Sequence, residues 1–205
     1  THVSWLAATA AGNIDPCFPY GPDCVSISRT ARRLPAALIF KTLMIPNAML
    51  TIWVWHLTAD WMERLGISGI VLQLVRILGT IAGIFMIIYL LALGMEGDQF
   101  RLARRTGVII AFSFTFLPEL LVCRELLIHR ARVGFAAWIP AVQKWICLIL
   151  LSIGLLNLFL DLFYSGFGRV NDAIEWWFAL FLYGFFVTLA AAWKQTGALD
   201  APPDK

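Results

Sequence analysis

Ile77-Leu-Gly-Thr-Ile-Ala-Gly-Ile-Phe-Met-Ile-Ile-Tyr-Leu-Leu-Ala-Leu-Gly-Met95 is nineteen residues without a charge. A bilayer hydrocarbon core about 30 Å thick takes roughly 20 helical residues to cross, so this stretch is a membrane span needing only short flanks. Four more charge-free cores accompany it, at 42–59, 106–118, 145–160 and 176–193. None alternates polar and apolar residues as a barrel strand must, and in lipid only helices and closed barrels satisfy the backbone. The fold class is therefore all-α, a polytopic transmembrane helical bundle.

Composition agrees. The 205 residues are 60% hydrophobic and 14% charged, against about 25% charged in an average soluble domain. The expected spans are 36–57, 69–93, 107–127, 139–161 and 174–193, with 1–35 an extramembrane segment and 194–205 a flexible tail. No second domain and no repeat of 20–50 residues stands out. Five crossings put 1–35, 94–106 and 162–173 on one side, X, and 58–68, 128–138 and the tail on the other, Y. Lys and Arg do not orient the chain: seven lie toward X and six toward Y, no bias of the kind that sets topology. The net charge of +3, without a basic run, offers nothing to a nucleic acid. Basic side chains at the edges of a bilayer meet lipid phosphates.

Cys17 and Cys24 bracket Pro19, Gly21 and Pro22, turn residues that permit a small disulfide-closed loop if X is an oxidising compartment. Two reduced thiols in a cytosolic loop are the other reading. A metal site is not expected, because only Asp15 and Asp23 accompany the pair and the spacing exceeds that of a zinc knuckle. Cys123 and Cys147 read as small buried side chains of apolar helices. Residue 1 is Thr, and Val3-Ser4-Trp5-Leu6-Ala7-Ala8 resembles the outer end of a span. The expectation is a preceding sixth helix, which would make 12–35 the first X loop.

Within that loop run Phe18-Pro19-Tyr20, Ser26-Ile27-Ser28, and Pro35 with Phe40 entering a helix; His129 is followed by Gly134-Phe135, and Glu175-Trp176 opens the last span. These motifs resemble the DRAM-like family of six-span proteins, which includes damage-regulated autophagy modulators and GPI-anchor lipid-remodelling factors. The resemblance covers nearly the whole chain apart from a first helix. It departs at the family's Pro-Tyr-Ile-Ser-Asp core, here interrupted by Gly21 to Val25 and with Arg29 in place of the Asp. It implies a topology and a lipid-related or complex-associated role, and no catalytic residues.

Charge inside hydrocarbon is costly and marks a partner or a cavity. Arg76 and Glu119 lie at similar depth on what would be antiparallel neighbours, and an ion pair between them is expected, either fixing helix register or lining a polar site for a lipid headgroup or proton. Toward X, Arg29, Arg32, Arg33, Lys41, Asp161 and Glu175 form either a headgroup-binding rim or an ordinary interfacial belt of snorkelling side chains. His56 and His129 lie near the Y boundary, where facing histidines would be possible ligands of a haem or a bacteriochlorophyll magnesium. A zinc hydrolase would need about three histidines at one depth, and of the three in the chain only His56 and His129 can meet. There is no Walker loop, dinucleotide fingerprint, Gly-x-Ser-x-Gly elbow or His-Glu-x-x-His. The nine Trp fall toward the two edges, as aromatic belts do. Gly79 and Gly83 form a Gly-x-x-x-Gly, which lets helix backbones approach.

The expected function is that of a non-catalytic integral membrane protein, lipid-associated or an accessory subunit of a larger membrane assembly, with no cofactor. Its partners would be membrane lipids and other transmembrane subunits, in a plasma or inner membrane if bacterial and an endomembrane if eukaryotic, with 1–35 on the non-cytoplasmic side. The alternatives are a lipid-modifying enzyme or transporter acting at Arg76 and Glu119, and a haem- or pigment-bearing subunit.

Overall fold

A computed structural model describes residues 1–134, 136–163 and 168–198, apart from the side chains of 132, 133, 161, 162 and 168–171. Seven helices follow one another: α1 (His2–Ala10), α2 (Ile27–Thr30), α3 (Ala36–Arg64), α4 (Ile70–Ala92), α5 (Asp98–Val133), α6 (Trp138–Phe163) and α7 (Gly168–Gln195). The last five are long and apolar enough to cross a membrane, so the chain has the architecture of a multi-pass integral membrane protein. Among the described residues there is no strand.

The helices outrun the expected spans. Helix α3 continues to Arg64, past residue 57, and α5 runs from Asp98 to Val133 instead of 107–127. Hydropathy marks where lipid ends, whereas backbone hydrogen bonding continues into the polar ends until a residue breaks it. Gly134 breaks α5 in the left-handed region, φ 74°, its N–H returning to the carbonyl of Arg130, an αL stop that spares any side chain the strain. Pro46 and Pro118 lie inside α3 and α5 without ending them; each lacks the N–H that would reach back one turn.

Glycine decides how closely the bundle packs. Helix α4 lies between α3 and α5, α6 joins α5 to α7, and α1 rests on α3. At Gly79 of α4 an added Cβ would land on the Cβ and ring of Trp55, and at Gly83 on the side chain of Ile52. At Gly107 of α5 it would press on Tyr89 and the Phe85 carbonyl. The Gly-x-x-x-Gly of α4 thus faces α3 at backbone distance. By contrast α3 and α7 meet through side-chain tips: Asn47 on Tyr183, Trp55 on Phe186, and Trp61 on Trp193 and Thr196.

Apolar side chains collect in two clusters. One fills the bundle from its middle to the Y end around Trp55, Met62, Leu126, Leu150 and Phe185; the other, at the X end, joins Ile27, Phe40, Tyr89, Leu90 and Trp176. Trp53, Trp138, Trp145 and Trp177 are exposed, as belt residues would be, but Trp55, Trp61 and Trp176 belong to the core. Both sets sit at similar positions along their helices. A tryptophan's depth follows from its place in the chain, and its direction from its helix neighbours.

Candidate functional site

The X end is closed by a cap tied to α7. Cys17 and Cys24 are joined as a disulfide, with Cα atoms 5.2 Å apart, and the loop between them brings Tyr20 onto the α7 aromatics. The Tyr20 hydroxyl lies 3.0 Å from Nε2 of His2, and its carbonyl accepts from Nε1 of Trp177 at 3.1 Å. Trp176 donates to the carbonyl of Val25 at 2.9 Å. Ser26 starts α2 by accepting from the N–H of Arg29 through its hydroxyl, as N-cap serines do. The Ser28 N–H is directed at a Glu175 carboxylate oxygen, 3.5 Å away. Since α1 packs on α3, residues 1–30 bridge the tops of α3 and α7.

That cap rearranges the expected rim. Arg29 lies 3.6 Å from Asp172, a residue sequence reasoning passed over. Arg32 is exposed and within electrostatic reach of Glu175, and Arg33 is exposed beside it. Lys41 is half-buried one turn inside α3. The side chain of Asp161 lies outside the described residues. Two of the basic residues are thus set against α7 acids, while Arg33 and Lys41 have no carboxylate within salt-bridge distance among the described residues.

Arg76 and Glu119 are not partners. Nη2 of Arg76 bonds Oδ1 of Asp60 at 2.6 Å and lies 3.5 Å from Glu63, across the α3–α4 turn. The extension of α3 beyond residue 57 is the cause, because it carries Asp60 and Glu63 level with the first turns of α4. Orientation completes it: Val75 is fully buried toward the bundle, whereas Arg76, 100° further round, keeps 30% of its side chain exposed. The pair lies on the outer face of the bundle toward its Y end, where an ion pair is worth on the order of 1 kcal/mol. A double-mutant cycle of Arg76→Met with Asp60→Asn should show coupling of about that size, and the cycle with Glu119→Gln none; thermal denaturation in detergent reads both.

Glu119 has a different setting. It is fully buried, and among the described residues neither carboxyl oxygen has a hydrogen-bond partner. One turn toward Y, Cys123 is buried in the same core cluster as Cys147 of α6, and one turn before Cys147 the amide of Gln143 is buried and, among the described residues, unpartnered. The two thiols are buried and free, as expected. A polar seam therefore runs along the α5–α6 interface.

One turn from Glu119 toward X, Thr115 lines a crevice between α3, α4, α5 and α7. Its volume is about 40 Å³. The walls are mainly apolar, from Ala48, Ala82, Gly83, Met86, Phe112, Leu182 and Phe186, and the polar groups are Asn47, Thr51, Thr115 and Tyr183. The Asn47 amide donates to the Tyr183 hydroxyl at 3.1 Å. Both threonine hydroxyls are spent on helix carbonyls, Thr51 on Asn47 and Thr115 on Ala111. All four residues lie near the middle of their spans, and Tyr183 is 40% exposed, so the crevice opens sideways at mid-bilayer depth. It is formed where the tip-to-tip contact of α3 and α7 leaves room. The signal for it was present in the sequence: Asn47, directly after Pro46, is an amide in the middle of an apolar run.

The histidines are engaged separately. Nε2 of His56 is 3.0 Å from the Thr80 hydroxyl, and His129 lies 3.5 Å from Glu125 one turn earlier. No group of three or more His, Cys, Asp or Glu poised for a metal occurs among the described residues. No family model, curated protein or solved structure matches the chain.

Proposed function

We propose that this chain is a non-catalytic, lipid-associated membrane protein of the DRAM-like kind, taking up a bilayer-soluble molecule in the crevice between α3 and α7. The crevice carries the reading: a mainly apolar recess with a few convergent polar groups, open to the side at mid-bilayer depth, has the make-up of a small-molecule site. From Glu175 to Tyr183 is about 12 Å along α7. The half-thickness of the hydrocarbon core is about 15 Å, so an acyl chain whose phosphate rests near Arg33 and Lys41 would reach the crevice.

The segments that carry the family resemblance support it too. Tyr20, the Ser26-Ile27-Ser28 turn and Glu175-Trp176 are far apart in the chain and meet in the cap. The Cys17–Cys24 bond favours a non-cytoplasmic X side. An enzyme or transporter built on Arg76 and Glu119 has less support, since the two face different neighbours. Accessory membership of a larger assembly is compatible with the crevice and would be read from co-purifying chains.

Photolabelling tests the proposal. In vesicles of phosphatidylcholine carrying a diazirine at mid-acyl chain, the label should fall on α3 and α7 near Asn47 and Tyr183. Filling the recess with Thr51→Leu/Thr115→Leu should lower that labelling at least fivefold while gel filtration of the protein stays unchanged. Label spread evenly over all lipid-facing helices, or unaffected by the filled variant, would overturn the reading.

A further inference from the structure

The hydrogen-bond inventory of the crevice narrows its ligand. Asn47 brings two N–H donors and Tyr183 one O–H donor, and one bond joins the two side chains. If the amide donates, the Tyr183 O–H and one Asn47 N–H remain. If the amide is turned over and its oxygen accepts from the tyrosine, both N–H groups remain. Among the described residues two donors are therefore unspent in either orientation. Thr51 and Thr115 add none, because their protons go to helix carbonyls.

At this depth the bilayer offers nothing to accept them. Phospholipid ester and phosphate oxygens lie at the interface, about 15 Å away, and an unmet donor in an apolar setting costs about 1–3 kcal/mol. The complementary molecule carries an acceptor oxygen at mid-bilayer depth on an otherwise apolar body. Aromatic rings of Phe112, Tyr183 and Phe186 are among the lining and suit a flat partner. A recess of about 40 Å³ takes one edge of a ring and leaves the rest in lipid.

We infer that the crevice binds the carbonyl edge of a lipid-soluble quinone, an uncharged ring on an apolar tail, with Asn47 and Tyr183 as its hydrogen-bond donors. This rests on the crevice being a ligand site at all, and names the ligand class for that site. Binding alone is inferred, and no electron transfer is part of it.

Competition against the diazirine lipid separates the two. A decyl-substituted benzoquinone should displace crevice labelling in wild-type protein at a concentration at least tenfold below that of decylbenzene, which has the same tail and no acceptor. Asn47→Leu/Tyr183→Phe should erase that difference while keeping lipid labelling, since the recess remains and only its donors are gone. Native mass spectrometry of protein incubated with the quinone gives a second reading, one bound quinone in wild type and none in the variant. Equal potency of quinone and decylbenzene, as when water meets the donors, would overturn the quinone assignment and leave the lipid site standing. So would a double variant that still discriminates. Loss of crevice labelling from wild-type protein itself, with no quinone retained, would bring down both.

Discussion

Replacing Gly79 by alanine should destabilise the bundle by about 3 kcal/mol, the upper end of what one overpacked methyl costs. The new carbon falls on the Cβ of Trp55 as well as on its ring, so a change of rotamer does not clear it. Trp55 itself is fully buried against Phe186 and has nowhere to retreat. Gly83→Ala meets the side chain of Ile52, which can turn, and also approaches the Ala48 carbonyl at 3.0 Å; its cost should be smaller. Gly154 of α6 is the internal control. A Cβ there meets nothing within 4 Å, and alanine should be neutral or gain up to about 1 kcal/mol from helix propensity. Thermal denaturation followed by gel filtration in detergent ranks the three, and Gly79→Ala as mild as Gly154→Ala would show that α3 and α4 do not approach as described.

Glu119→Met should do the reverse and stabilise the protein, by about 1–3 kcal/mol. Among the described residues both carboxyl oxygens are buried without a partner, and an unsatisfied buried polar group carries its full desolvation cost. Methionine keeps the length of the side chain and drops the oxygens. Glu119→Lys should fail to give folded protein, because it places a longer charged group in the same buried seam. A Glu119→Met protein less stable than wild type would mean that the carboxyl is held by a molecule bound in the seam. Stabilisation together with loss of crevice labelling would mark Glu119 as a residue kept for function against stability.

The contrast between these two positions shows how far the sequence could be read. Five spans, the all-α class and the buried cysteines of α5 and α6 were legible, because length and apolar content are properties of a segment taken alone. So was the close approach of α4 to a neighbour, since Gly79 and Gly83 are four apart on one helix. Pairings between segments were not. Arg76 and Glu119 do share a depth, which counting residues recovers, but contact needs both to face the same neighbour. One residue of offset, Val75 inward and Arg76 outward, sends the guanidinium to Asp60. The true partner lay in a stretch assigned to a loop, because hydropathy falls at residue 58 while the helix continues to Arg64.

The crevice was hidden for a related reason. Asn47, Thr51, Thr115 and Tyr183 are uncharged, so none interrupts a search for charge, and they come from three helices. Glu175 and Trp176 were noticed as a motif, yet their role of holding residues 20–28 down on α7 depends on a loop whose path composition does not describe. Asp172 escaped because Arg29, its partner, is 143 residues earlier.

The cap that joins the top of α3 to the top of α7 has a consequence for traffic. It covers the X end of the α3–α7 contact, and the Trp61, Trp193 and Thr196 cluster closes that contact toward Y, so the crevice between them faces the flank of the bundle. On the proposed reading a ligand of Asn47 and Tyr183 would partition into the bilayer first and arrive by diffusion in two dimensions, so the occupancy of the crevice would follow the make-up of the membrane and not that of either solution.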